Sequence, residues 1–201
     1  LLVRTGIVDP VRIDNGDCSG PKRARNVLAN PSVEAAVLET ARGGLLREGL
    51  GFDKCDVAIV TNIAEGDHLG SAGIDTPEQV AKVKRTIVDV VQPTGYAVLK
   101  AGDPLCVAMA EKCPGSVIYF AMSETDPVAA EHLKQGKRAV FVRHGTIVAA
   151  EGTNETLVIS LDQVPLTHGG RIGFQIENSL AATAGAWGLG IAVEAVRRGL
   201  S

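Results

Sequence analysis

Aromatic residues make up only 3% of this 201-residue sequence, and no run of Lys and Arg is interleaved with stacking side chains. The chain therefore lacks the aromatic platforms and basic tracks with which proteins hold single-stranded nucleic acid. Its formal net charge of −3 supplies no field able to hold a polyanion, so no nucleic-acid partner is expected. No apolar run approaches the roughly 20 residues that cross a bilayer, and no basic segment followed by an apolar one opens the chain, so no membrane partner is expected either. The four cysteines, Cys18, Cys55, Cys106 and Cys113, form no C-x-x-C pair. Their scatter fits reduced thiols and a cytoplasmic setting better than a disulfide framework. A G-x-x-x-x-G-K-[ST] phosphate loop is absent too, and Gly43-Gly44 has neither the lysine nor the spacing to replace it. Any nucleotide site among these residues is incomplete.

What is abundant is Val, Ile, Leu and Ala, within a hydrophobic share of 45%. Such residues fill the space between buried parallel strands and their covering helices, which favours an α/β fold over an all-β sandwich. The length suits one domain with a sizeable core, with room for a small attached subdomain.

Two apolar runs, Ala35 to Leu38 and Val57 to Val60, end in polar residues: Glu39 after the first, Thr61 and Asn62 after the second. Both read as strands buried on two faces, with their polar ends at the carboxyl edge where open α/β sheets place ligands. Thr76-Pro77-Glu78-Gln79 offers an N-cap, a proline at the first helical position and a capping-box glutamine, predicting a helix from about Pro77 to Val91. Tyr96 to Leu99 reads as a strand, and Asp103-Pro104 opens the next helix. Val117 to Phe120 and Asp126-Pro127 repeat the cycle, with a stop at Gly136. Three strand-then-helix cycles predict a mostly parallel sheet flanked by helices. Ala139 to Arg143, Thr146 to Ala150 and Thr156 to Ser160 then predict a small antiparallel meander. Helices are expected from near Asn178 to Leu189, stopped by Gly190, and from Val193 to Arg198.

Several residues can carry chemistry. Glu39 at a strand end can hold a hard cation, since Mg²⁺ takes one or two carboxylates plus phosphate oxygens; a solvent-facing strand-end Glu is the alternative. The segment from Thr61 to His68 packs an amide, two carboxylates and an imidazole into one turn, where Asp67 can orient the His68 ring. A surface histidine is the plainer reading. Lys84 shares a predicted helix stripe with Val80, Ile87 and Val91, so either its stem snorkels across the core or its amine is held near phosphates. Arg42 can grip a substrate carboxylate through its guanidinium fork, and Arg47 and Glu48 follow it; surface ion pairs explain all three equally. His132, His144 and His168 show no metal spacing and receive no role.

The stretch Val37-Leu38-Glu39-Thr40-Ala41-Arg42-Gly43-Gly44-Leu45-Leu46-Arg47-Glu48-Gly49-Leu50 resembles the Mur-ligase part of the cyanophycin synthetase family. So do Cys55-Asp56-Val57, Thr61-Asn62, Asp67-His68-Leu69-Gly70, Gly16-Asp17 with Ser19-Gly20-Pro21, Val83-Lys84 and Glu177-Asn178 with Leu180-Ala181-Ala182. E-T-A-R-G-G is the specific part; Mur ligases in general share only its glutamate. The resemblance implies a central, ATP-binding domain of P-loop type. It implies Glu39 and His68 as Mg²⁺ ligands, Lys84 as the lysine that many Mur ligases carbamoylate, and Asn178 as an adenine contact. The implied reaction activates an aspartate β-carboxylate with ATP as an acyl phosphate and joins arginine to it on the polymer cyanophycin; a homo-oligomer is an open assembly state. The sequence departs from the general Mur pattern in three places: the Asn62 to Asp67 loop is one residue longer, Lys100 stands in Leu99-Lys100-Ala101-Gly102-Asp103-Pro104 where the family usually has asparagine, and Phe174-Gln175 replaces His-Asn. Another Mur-type ligase, acting on a cell-wall precursor or a folate polyglutamate, and a non-catalytic remnant domain are the alternatives.

The resemblance also leads to the expectation that the phosphate loop lies just upstream of Leu1 and a C-terminal ligase domain downstream of Ser201. The isolated 201-residue chain should therefore fold yet hydrolyse no ATP. A phosphate-release assay giving turnover near that of the parent protein would overturn this.

Overall fold

The computed structural model describes residues 7–8, 11–12, 20–63 and 73–201. It divides into two compact units, Leu1–Lys54 and Cys55–Ser201.

In the first unit, β1 (Ile7–Val8) pairs antiparallel with β2 (Val11–Arg12), and two helices follow, α1 (Pro21–Leu28) and α2 (Arg42–Glu48). Pro21 at the first position of α1 sacrifices no hydrogen bond, because that N–H has no partner inside the helix. Buried Val27 of α1 gathers Val33, Ala36 and Leu38 around it. Here the structure corrects the expected strand at Ala35 to Leu38: only Val37 forms a bridge, and it is 49% exposed. The run is extended and covered along one side alone, with Ala36 and Leu38 turned to Val27, so it is not a strand buried on two faces. Gly44 and Gly51 allow close packing against α1. A Cβ on Gly51 would lie 2.5 Å from the Pro21 carbonyl oxygen, and one on Gly44 would lie 3.1 Å from Pro21 Cδ.

The second unit is built on one six-stranded sheet in sequential order: β3 (Cys55–Val60), β4 (Val91–Lys100), β5 (Ser116–Ala121), β6 (Arg138–Arg143), β7 (Thr146–Glu151) and β8 (Asn154–Ser160). The first four run parallel, and the expected antiparallel meander continues the same sheet as β6–β7–β8. One face packs against α3 (Pro77–Lys84), α4 (Thr86–Asp89), α5 (Pro104–Ala108) and α6 (Pro127–Lys134) through Val80, Val88, Cys106 and Ala129. The other face packs against α7 (Gly173–Gly188) and α8 (Val193–Leu200) through Ile176, Leu180, Ala184 and Val196.

The capping box at Thr76 and Gln79 is present, and Asp103 and Asp126 cap α5 and α6. The predicted helix to Val91 is shorter: α3 ends at Lys84, α4 adds one turn, and Val91 already pairs with Cys55 as the start of β4. β-branched Val91 suits the pleated strand that it starts. The last long helix begins at Gly173, five residues before the expected start, and Gly190 follows it with φ of 76°. His132 is buried, its Nε2 3.0 Å from the Val117 carbonyl oxygen, a core role.

α7 runs against the direction of the parallel strands. Glu177 near its start meets Lys100 at the end of β4, whereas a Cβ on Gly188 at its finish would lie 3.4 Å from Tyr96 Cβ. Its positive N-terminal end thus lies at the carboxyl edge of the sheet. Arg138 fastens the opposite end, its guanidinium 5.1 Å from the Tyr96 ring centre and 4.6 Å from that of Trp187.

Between Val91 and Tyr96 the register with β3 shifts, and Gln92 to Gly95 bulge out, tied by Gln92 Nε2 donating to Asp56 Oδ1 at 2.8 Å. The backbones crowd here: a Cβ on Gly95 would sit 2.4 Å from the Asp56 carbonyl oxygen, and one on Gly115 would sit 2.3 Å from that of Gly95. Backbone atoms cannot swing aside as a side-chain tip can. Gly95→Ala and Gly115→Ala should each destabilise the fold by about 1–3 kcal/mol, measurable as a lowered Cm in urea unfolding.

Candidate active site

The carboxyl ends of the parallel strands gather polar groups that the apolar strand interiors exclude. At the end of β3, Thr61, Asn62 and Ile63 leave the sheet. Two side chains hold them: Lys84 Nζ donates to the Asn62 carbonyl at 3.2 Å, and Asp103 Oδ2 accepts from the Ile63 N–H at 2.7 Å. The other Asp103 oxygen accepts from the N–H groups of Leu105 and Cys106 at 3.0 and 3.2 Å. One carboxylate therefore caps α5 and anchors the turn after β3. Lys84 is half-buried and sends its amine to that turn.

At the end of β4, Lys100 Nζ lies 2.6 Å from Glu177 Oε1, both half-buried. Next to Glu177, exposed Asn178 donates from Nδ2 to Gln175 Oε1 at 3.0 Å. At the end of β6, Arg143 forms a two-pronged pair with Glu155, 2.7 Å on each arm, and also contacts Glu124. That cluster sets two carboxylates against one guanidinium and ties β6 to β8 and to the turn after β5. Burial, followed by the charge of Asp56, raises half-buried Cys55 to about 11, and burial, followed by the charge of Asp103, raises buried Cys106 to about 12, which disfavours the thiolate form of each.

Glu39 is exposed and belongs to the first unit, as do Arg42 at the start of α2 and Arg47, whose guanidinium folds back over Gly43. Lys84 and Asn178 belong to the second unit. Asp67 and His68 lie outside the described residues, and among the described residues no three His, Cys, Asp or Glu side chains form a metal cluster. Sequence reasoning missed the Lys100–Glu177 pair and the second role of Asp103. Lys100 carried the signal already used for Asn62, a polar residue closing an apolar run.

The sequence profile of the Mur ligase middle domain matches residues 15–186. The chain belongs to the Mur ligase middle-domain family. It is similar to the cyanophycin synthetase of Synechocystis sp. (strain ATCC 27184 / PCC 6803 / Kazusa), at 47% identity over 94% of this chain and 21% of that protein. The UDP-N-acetylmuramate–L-alanine ligase of Stenotrophomonas maltophilia (strain R551-3) is 34% identical over 72% of the chain and 27% of its own length. The chain thus spans about a fifth of the cyanophycin synthetase it matches. MurF from Acinetobacter baumannii shares the fold, with a TM-score of 0.53 at 19% identity over 82% of this chain and 33% of that one. The murein peptide ligase Mpl from Psychrobacter arcticus 273-4 does so with a TM-score of 0.53 at 14% identity over 86% and 33%. In the second unit, Asn62, Lys84, Asn178 and the Lys100–Glu177 ion pair lie toward the carboxyl edge of the sheet. No helix among the described residues is long and apolar enough to cross a membrane.

Replacing Asp103 by Ala removes the cap and leaves the Ile63 N–H without its acceptor. The expected cost is about 1–3 kcal/mol, with faster hydrogen exchange at the Ile63 amide. Unchanged exchange there would separate the turn from the cap.

Proposed function

We propose that this chain is the middle domain of a cytoplasmic, ATP- and Mg²⁺-dependent amide ligase of the cyanophycin synthetase kind. The observation that carries this reading is the 47% identity to a cyanophycin synthetase across 94% of the chain. An open carboxyl edge with Lys84 and Asn178 supports it physically.

In the proposed reaction a β-carboxylate oxygen of an aspartate polymer attacks the γ-phosphorus of ATP, and ADP leaves. The α-amine of arginine then attacks the acyl phosphate carbon, losing a proton, and inorganic phosphate leaves. A carboxylate resists direct attack by an amine, and the mixed anhydride supplies the leaving group it lacks. Mg²⁺ would offset the repulsion between anionic reactants. Exposed Glu39 has the donor chemistry for it, since one carboxylate with phosphate oxygens suffices; His68 is its proposed partner. The Lys84 amine, already beside the Asn62 carbonyl, would support the phosphates or the metal. Arg42 would bind substrate carboxylate through its guanidinium fork, and Asn178 would contact adenine.

The parent protein, given ATP, Mg²⁺, an aspartate-rich primer and labelled arginine, should incorporate arginine with matching ADP release. Glu39→Gln, His68→Ala and Lys84→Met should each lower kcat by about a hundredfold or more while leaving the unfolding midpoint nearly unchanged. ADP release coupled to a cell-wall precursor or a folate polyglutamate, with no arginine incorporated, would assign the protein to another branch of the family.

A further inference from the structure

The opposite end of the parallel strands also carries polar groups. Ser116 and Arg138 are the first residues of β5 and β6, and Glu151, the last of β7, stands opposite Arg138 in the antiparallel register. With the last turn of α6 they border an open cleft of about 780 Å³ at the amino edge of the sheet, away from the turn that Lys84 and Asp103 hold. Small-molecule sites have volumes of this order.

The lining joins aromatic surface to charges of both signs. Tyr119, 6% exposed, stands edge-on to His132 with 4.8 Å between ring centres, and His132 is fixed in turn by the Val117 carbonyl. Around them, Glu131 and Glu151 offer carboxylates, and Lys137 and Arg138 offer cations. Lys137 Nζ donates to the Gln135 side-chain carbonyl at 2.9 Å and makes no ion pair among the described residues. Arg138 Nε lies 3.2 Å from Glu151 Oε2 but out of hydrogen-bonding alignment, so the pair is not the two-pronged one that a carboxylate can form with a guanidinium. Glu131 meets only exposed Lys134, at 3.4 Å, a pair that water screens.

This set selects by charge. Two carboxylates beside the cations repel a phosphate group, which brings about two negative charges. A ligand with one carboxylate and a cation of its own meets no such penalty: the carboxylate suits Lys137 and Arg138, and an ammonium or guanidinium suits Glu131 and Glu151. An aliphatic stem between them covers the Tyr119 ring.

We propose that the amino-edge cleft is a second binding site, for a cationic α-amino-acid unit whose carboxylate meets Lys137 and Arg138 and whose cation meets Glu131 and Glu151. The choice of amino acid rests on the ligase reading above, under which the unit is arginine, free or already joined to the polymer.

The test is hydrogen exchange of the parent protein, read by mass spectrometry in segments 113–117 and 131–138, with arginine, Nα-acetylarginine, agmatine or inorganic phosphate added. Arginine should slow exchange in both segments, whereas agmatine, which lacks the carboxylate, and phosphate should not. Lys137→Glu should raise the arginine concentration that gives half the effect by about fivefold or more, and Lys137→Arg should leave it unchanged. Lys137 is exposed, so neither variant threatens the fold. Nα-acetylarginine keeps the carboxylate and guanidinium but has an amide in place of the ammonium, as a polymer-borne unit does. Slowing equal to that by arginine would assign the site to the polymer-borne unit, and weaker slowing to the free amino acid. Exchange unchanged by arginine at concentrations that saturate its incorporation, or slowed equally by agmatine or phosphate, would overturn the proposal and leave the ligase reading standing. Slowed exchange in a protein that incorporates no arginine would support the site and refute the ligase reading.

Discussion

Burial of the parallel strands β4 to β6 between two helical layers, with β3 at the edge beside them, is the constraint on which the rest of the larger unit depends. A strand covered on both faces carries almost no polar side chains along its length, so polar chemistry is displaced to the ends. Asn62, Lys100 and Arg143 mark this displacement at the carboxyl edge. The helices that cover the sheet deliver Lys84, Asp103, Glu177 and Asn178 to the same edge, because each crossover returns the chain across the sheet.

The polar groups at this edge differ in what they are free to do. Arg143 is neutralised by two glutamates and binds the antiparallel meander to the parallel half. Asp103 is committed to three backbone N–H groups. Lys84 donates to the Asn62 carbonyl in the turn after β3. Asn178 and Gln175 satisfy each other only in part. Groups committed to the scaffold and partly satisfied amides are thus interleaved along one edge, and Asp103 and Lys84 hold the same turn after β3.

Much of the fold was legible because its signals are local. Pro after Thr76, Asp103 and Asp126 marked three helix starts, since a side-chain cap and a proline at the first position need no distant partner. The runs at Val57, Val117 and Ala139 marked strands for a similar reason. Ala35 to Leu38 misled: its apolar pattern is compatible with a two-sided strand, yet only Val27 and its neighbours cover it. The Pro77 helix was drawn too long because Val91 is apolar at helical spacing and equally suited to the strand it starts.

The sequence by itself determined the family, through E-T-A-R-G-G and its companion motifs, and the order of strand and helix, through caps and apolar periods that act over a few residues. Tertiary structure alone decided which polar groups meet. Lys100 and Glu177 are far apart in the chain, as are Asp103 and Ile63, and their pairing follows from strand register and from the direction of α7, neither of which is written in any short stretch of residues. It also decided that the second residue of α7, Phe174, stands exposed rather than buried, because burial is a property of what packs around a side chain and not of its chemistry.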